Sequence, residues 1–221
     1  MVRLESKLAK APYYNSKGEE VPSVTEVTDT LPKPGLKYYY WDLGRKGVSL
    51  QSSKDHYTGI GKIAHFMCEL HGTGKIPDLS DFPPSQVSIA ENAYLKFASF
   101  WDKEGFQPLH NELRLVSEQW GFGGQIDKVA TDAQGRVCIV DLKTSKDIQL
   151  DYWIQLSAYE QLLVENLGLK LDRRMIVRIG KEESETDFDV QEKPSLTGYF
   201  YCFTKALENY KALKEIKWKF R

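Results

Sequence analysis

The chain has 221 residues, 41% hydrophobic and 28% charged, enough apolar side chain to bury the core of one domain and too much for a disordered polymer. Thirty basic against thirty-one acidic residues leave a formal net charge of −1, so a polyanion could be met only by a local basic groove and not by a field of the whole molecule. No run reaches the roughly 20 apolar residues of a spanning helix, and residues 1–10 alternate charged with apolar side chains, so a soluble, cytoplasmic protein with no membrane partner is expected.

In chain order, Pro12, Pro22, Pro32 and Pro34 punctuate an opening that reads as an arm over 1–56, with a short element at Pro22-Ser23-Val24-Thr25-Glu26-Val27. This arm is expected to pack on a core domain over 57–221. Ile63, Phe66, Met67 and Leu70 recur at three- and four-residue spacings, which predicts a half-buried helix over 57–71 stopped by Gly72. After Pro83-Pro84 a second helix is predicted over 85–103, ended by Gly105.

The period then changes. Leu113 and Leu115, Ile126 and Val129, and Val137, Ile139 and Val140 lie in short β-favouring runs separated by glycine-containing turns, which predicts three consecutive strands. Helical spacing returns over 151–166 with Gly168 as its stop, followed by a strand at Arg173–Ile179, an acidic solvated loop over 181–189 leading into a short extended piece, and a Lys-rich aromatic helix over 194–219. Such an order predicts an α/β fold in which a central mixed sheet is flanked by helices.

Cys68, Cys138 and Cys202 are too few and too widely spaced for a disulfide framework or a C-x-x-C clamp and read as buried, reduced thiols. Gly59-Ile60-Gly61-Lys62 lacks the interval and the hydroxyl of a phosphate-binding Walker loop, so no nucleotide cofactor is expected.

The chemistry concentrates in the strand block. Gly124-Gln125-Ile126-Asp127 precedes Asp141-Leu142-Lys143 by an interval that lets adjacent antiparallel strands bring both carboxylates together. Strand alternation puts Asp141 and Lys143 on one face and Leu142 on the other. Taken alone, Asp-x-Lys is also an ordinary surface ion pair. Two buried carboxylates, however, suit a hard divalent cation, Mg²⁺ or Mn²⁺, which keeps several waters and takes phosphate oxygens as further ligands, and phosphodiester hydrolysis is the reaction that matches.

With Gly-Gly-Gln-Ile-Asp-Lys-Val and Val-Cys-Ile-Val-Asp-Leu-Lys-Thr in place, the stretch resembles the PD-(D/E)XK nuclease superfamily in its RecB-like branch, and is similar to the mitochondrial genome maintenance exonucleases. Asp127 matches the GxxD motif and Asp141-Leu142-Lys143 the (D/E)xK motif. His65 in Gly61-Lys62-Ile63-Ala64-His65 matches the histidine on the helix before the sheet, and Gln155 with Tyr159 the QxxxY helix. The resemblance covers roughly residues 57–159.

It implies a restriction-endonuclease-like core with αβββαβ order. It also implies a Mg²⁺- or Mn²⁺-dependent deoxyribonuclease, with His65, Asp127, Asp141 and the Leu142 carbonyl as metal ligands and Lys143 orienting the attacking water. Glu112, on the first strand, joins the catalytic group and could reach the metal directly, through water, or only through Lys143. Gln155, Tyr159, Tyr152 and Lys62 are the implied nucleic-acid contacts. The activity implied is that of an exonuclease of DNA repair, recombination or replication, acting on single strands or free ends and leaving 5′-phosphates. A structure-selective endonuclease and a non-catalytic binder of nucleic-acid ends are the alternatives. The iron–sulfur members of the family need four cysteines, so three exclude such a cluster within this chain.

Overall fold

A computed structural model of the chain describes residues 2–4, 11–180 and 187–219. The two-residue strand β1 (Val2–Arg3) pairs parallel with β4 (Pro77–Asp78), and β2 (Tyr13–Tyr14) with β3 (Glu20–Val21) forms a small antiparallel hairpin. Helix α1 (Val24–Thr28) opens with a capping box in which the Ser23 hydroxyl accepts from the Glu26 amide at 3.1 Å while the Glu26 carboxylate accepts from the Ser23 amide at 2.7 Å. Helices α2 (Pro34–Arg45), α3 (Leu50–Leu70) and α4 (Pro84–Glu104) follow. The remaining elements are strands β5 (Gln107–Ser117), β6 (Phe122–Thr131) and β7 (Val137–Lys143), helix α5 (Leu150–Leu167), strands β8 (Arg173–Ile179) and β9 (Phe188–Glu192), and helix α6 (Thr197–Lys219).

Strands β5 to β9 form one five-stranded sheet in sequence order. Neighbours pair antiparallel except β7 and β8, which are parallel because α5 crosses over between them. The mixed sheet flanked by helices predicted from the element order is the one observed.

Each face of the sheet has its own core. On one side Val24 and Val27 of α1, Leu156 and Leu162 of α5 and Phe203 of α6 close over Phe122 and Ile139. On the other, Ile63 of α3 and Phe97 and Trp101 of α4 close over Ala130, Cys138, Val140 and Val177. Burying such a side chain fully stabilises the fold by roughly 1.5–3 kcal/mol, which is why the alternating strand pattern dictates that both faces be covered.

Several expectations need correction. The first long helix starts at Leu50 and not at residue 57, because the polar run before Tyr57 has no apolar stripe to reveal it. Helix α2 and the β2–β3 hairpin were not foreseen at all. Cys68 and Cys138 are buried, but Cys202 is exposed on α6. Most of the acidic loop, residues 181–186, lies outside the described residues; the extended piece expected after it is β9, which begins at Phe188, within the span read as loop. Among the described residues no helix is long and apolar enough to cross a membrane.

Candidate active site

The site begins where two paired strands part. Strands β6 and β7 pair from Thr131↔Val137 to Lys128↔Val140. Beyond that point β7 stays paired with β8 through Asp141↔Ile176 and Lys143↔Arg178, but its contact with β6 passes to a side chain: the Leu142 amide donates to Asp127 Oδ2 at 2.8 Å. A carboxylate thus takes the place of a ladder carbonyl and is held at the sheet's opening.

The facing of β6 also turns over at this point. A Cβ added to Gly124 would lie 2.7 Å from Tyr159 Cε1 and 2.9 Å from Leu162 Cδ1 of α5. Lys128, four residues on, instead lies over the Trp101 ring of α4, its Nζ 4.8 Å from the centroid. Regular alternation would keep these two positions on one face. Across from Asp127, between the pairs Asn111↔Lys128 and Leu113↔Ile126, Glu112 adopts φ 50°, the one positive φ at a non-glycine among the described residues. A left-handed carboxylate residue costs of order 1–3 kcal/mol, and here it coincides with the local reversal. Gln125 donates to the Glu112 carboxylate.

The second half of the site is a relay of side chains between β7 and α5. Lys143 Nζ lies 2.7 Å from Asp141 Oδ2 and donates to Gln155 Oε1 at 2.9 Å, and Gln155 Nε2 donates to the Tyr159 hydroxyl at 2.7 Å. The four-residue interval between Gln155 and Tyr159 puts them on one face of α5, over the strand face that holds Asp141 and Lys143. Glycine at position 124 is what lets the Tyr159 ring reach that depth. Tyr152, one turn earlier, offers its ring to Lys143 at 4.9 Å from the centroid.

Electrostatics follow from this burial. Asp141 is only 2% exposed. Burial opposes charge on Lys143, but the carboxylates of Asp141 and Asp127 outweigh it and raise its pKa, so the ammonium persists at neutral pH. Burial, with the same two carboxylates adding to it, pushes the Tyr159 phenol well above its ordinary value, so it stays protonated. Both shifts have Asp127 and Asp141 among their causes, which means that the two acids act on one small region.

Of the other expected residues, Glu112 is near this region through Gln125, and Tyr152 flanks it. His65 lies half-buried on α3, and Lys62 is exposed on the same helix. Among the described residues no three His, Cys, Asp or Glu side chains are gathered as a metal-holding group. Asp127, which accepts the Leu142 amide, and Asp141, the residue before Leu142, are hard-oxygen donors of the kind a divalent cation retaining waters of its own takes.

Two participants escaped the sequence reading. Gln125, quoted only as part of a motif, supports Glu112. Lys128 is fully buried, with Nζ donating to Asn111 Oδ1 at 2.9 Å and to the Glu69 carbonyl at 3.4 Å, so it ties α3 to the strands behind Asp127. Strand alternation alone would have put Lys128 on the face opposite Asp127, but nothing in the sequence indicated that a lysine there would be enclosed.

No curated protein matches the chain. Among solved structures it is similar to a putative exonuclease from Eubacterium rectale, with 15% identity, a TM-score of 0.37, and 73% of this chain and 62% of that chain covered. This chain therefore spans less than two thirds of that protein's length. It is also similar to LHK-Exo in complex with dAMP, with 13% identity, a TM-score of 0.42, and 75% of this chain and 88% of that chain covered. A further structure of the same alkaline exonuclease, from Laribacter hongkongensis, gives 14% identity, a TM-score of 0.39, and coverage of 90% and 94%. A family model described as the PD-(D/E)XK nuclease superfamily matches residues 69–214, well over half the chain and the whole of the Asp127, Asp141, Lys143 and Gln155 arrangement. The chain belongs to the PD-(D/E)XK nuclease superfamily.

Proposed function

We propose that this protein is a divalent-metal-dependent deoxyribonuclease of the RecB-like branch, similar to the mitochondrial genome maintenance exonucleases, that hydrolyses phosphodiester bonds from DNA ends or in single strands. The observation that carries the reading is the continuous relay Asp141–Lys143–Gln155–Tyr159 beside Asp127, a half-buried cation paired with a buried acid at the open end of a sheet.

Asp127, Asp141 and the Leu142 carbonyl, with His65 from α3, are the groups we assign to holding Mg²⁺ or Mn²⁺. When bound, such an ion supplies a coordinated water of lowered pKa and neutralises charge on the phosphate. Lys143 is held in one rotamer by Asp141 and Gln155, so its ammonium is aimed before substrate arrives and costs no reorganisation when negative charge develops on phosphorus oxygens. Tyr159 keeps its phenol proton at neutral pH and accepts the Gln155 amide on its hydroxyl oxygen, and through Gln155 it fixes the lysine. Glu112 acts on the opposite side of Asp127, where its unusual backbone conformation aims the carboxylate.

The same reading treats 57–221 as the nuclease domain and 1–56 as an arm on it; α3 runs unbroken across residue 57, so the arm ends inside that helix. End-labelled single- and double-stranded DNA, incubated with Mg²⁺ or Mn²⁺ and with EDTA, tests the activity. Shortening of linear DNA that needs the metal is expected. Nicking of covalently closed circles would replace the exonuclease by an endonuclease, and binding of ends without cleavage at any metal concentration would overturn the enzyme reading.

A further inference from the structure

Helix α2 exposes side chains that a helix normally buries. Tyr38 is 75% and Trp41 61% exposed, and Leu43 is the buried residue among the apolar side chains described in this helix. Positions 38, 41 and 45 follow a three-then-four spacing, so Tyr38, Trp41 and Arg45 form one stripe, and the Arg45 guanidinium covers the Trp41 ring at 4.9 Å. Within the helix and its immediate flanks, Lys33, Lys37, Arg45 and Lys46 outnumber the acid Asp42; Lys33 is paired with Asp29 at 2.6 Å, which leaves Lys37 and Arg45 as the surplus beside the rings in a protein whose overall charge is near zero. Asp42 is taken up by Lys46 at 2.6 Å. The surface is thus both aromatic and locally basic.

Its place in the fold connects it to the active site. Lys33, the N-cap residue of α2, lies 3.8 Å from Asp151 at the start of α5. The next residue, Tyr152, is the ring that covers Lys143. The N-terminal end of α2 therefore lies beside the start of α5, the helix whose Tyr152 covers Lys143, and the stripe extends from that end.

We infer that α2 is a base-stacking platform for the single-stranded nucleic acid that runs to the Lys143 site. The inference rests on the nuclease reading above and adds to it the surface that holds the strand. Flat aromatic faces accept any base, and cations between them meet the phosphates, the combination that binds single strands without regard to sequence. A protein partner would be served by the apolar rings alone; the surplus of positive charge beside them selects a polyanion that also has π faces.

The test uses the full chain in EDTA, where nothing is cleaved, and fluorescence anisotropy of a labelled oligothymidylate and of an abasic oligomer with the same backbone. Tyr38→Ala/Trp41→Ala is expected to weaken oligothymidylate binding about tenfold or more, with little change for the abasic oligomer, while Trp41→Phe stays close to wild type. Equal affinity of the double variant and wild type for oligothymidylate overturns the inference. So does an equal loss for both oligomers, which would reduce the effect to charge. A change from dimer to monomer in sedimentation with DNA affinity unaltered would assign α2 to a second copy of the chain and also overturn it. If the wild type neither binds nor, with Mn²⁺, cleaves DNA, the nuclease reading itself falls; if it cleaves and the double variant binds equally well, only the platform is lost.

Discussion

Gly124→Ala probes the link between packing and chemistry with a single methyl group. Gly124 has no positive φ, so alanine meets no backbone penalty there, and the effect is purely steric. The new Cβ would sit 2.7 Å from Tyr159 Cε1 and 2.9 Å from Leu162 Cδ1, and ordinary contact begins near 3.4 Å, so α5 or both side chains must give by roughly 0.5–0.7 Å. Leu162 can change rotamer. The Tyr159 ring, 3% exposed and tied to Gln155 at 2.7 Å, cannot move without loosening the relay to Lys143. Overpacking of this kind costs about 1–3 kcal/mol, which for a domain of this size lowers Tm by roughly 2–12 °C. On the role proposed for Lys143, a displacement of that size in its support should lower the rate, by up to about 10²-fold where it reaches 1 Å. Thermal unfolding followed by circular dichroism, and initial rates on end-labelled DNA at a temperature where the variant is folded, measure the two effects separately. An alanine variant with wild-type Tm and wild-type rate would refute both the close approach and its bearing on Lys143.

Lys143→Met should lower hydrolysis by about 10²–10³-fold, and by leaving Asp141 buried without its cation should cost roughly 3–5 kcal/mol of stability; in Asp141→Asn/Lys143→Met, urea unfolding should show stability regained while activity stays lost. Removal of divalent metal with EDTA should stop hydrolysis, and added Mn²⁺ or Mg²⁺ should restore it in the same sample, as read on denaturing gels. Asp132 predicts an acid limb to stability: burial works against its charge, but hydrogen bonds from Arg136, the Gln134 amide and Arg173 hold its pKa down at about 2. Because the folded value is depressed, its contribution is full above the unfolded value of about 4 and is lost as pH falls toward the folded one. Unfolding curves across that window should be steeper with pH for wild type than for Asp132→Asn, and equal slopes would show that the network of Arg173, Glu104 and Asp132 does not hold the charge.

The sequence by itself determined the sheet and the acids it gathers. Alternating apolar residues between Leu113 and Val140 can bury two faces only as strands, and Asp127, Asp141 and Lys143 stand out because each is a charge inside such a run. The spacing of Gln155 and Tyr159 was equally legible, since any helix there places them together. Other features were decided by the tertiary structure alone. That β6 and β7 part after Lys128↔Val140, so that Asp127 captures the Leu142 amide, depends on a ladder that local periodicity does not encode. The left-handed Glu112 and the reversal of facing between Gly124, which meets α5, and Lys128, which meets α4, depend on which helical layer each position packs against. Helix α2 stayed hidden for the opposite reason: its aromatic stripe faces outward, and a pattern of apolar residues cannot tell a face that packs on the core from one that stays exposed. Periodicity records which side chains travel together, and only the packed chain decides what they meet.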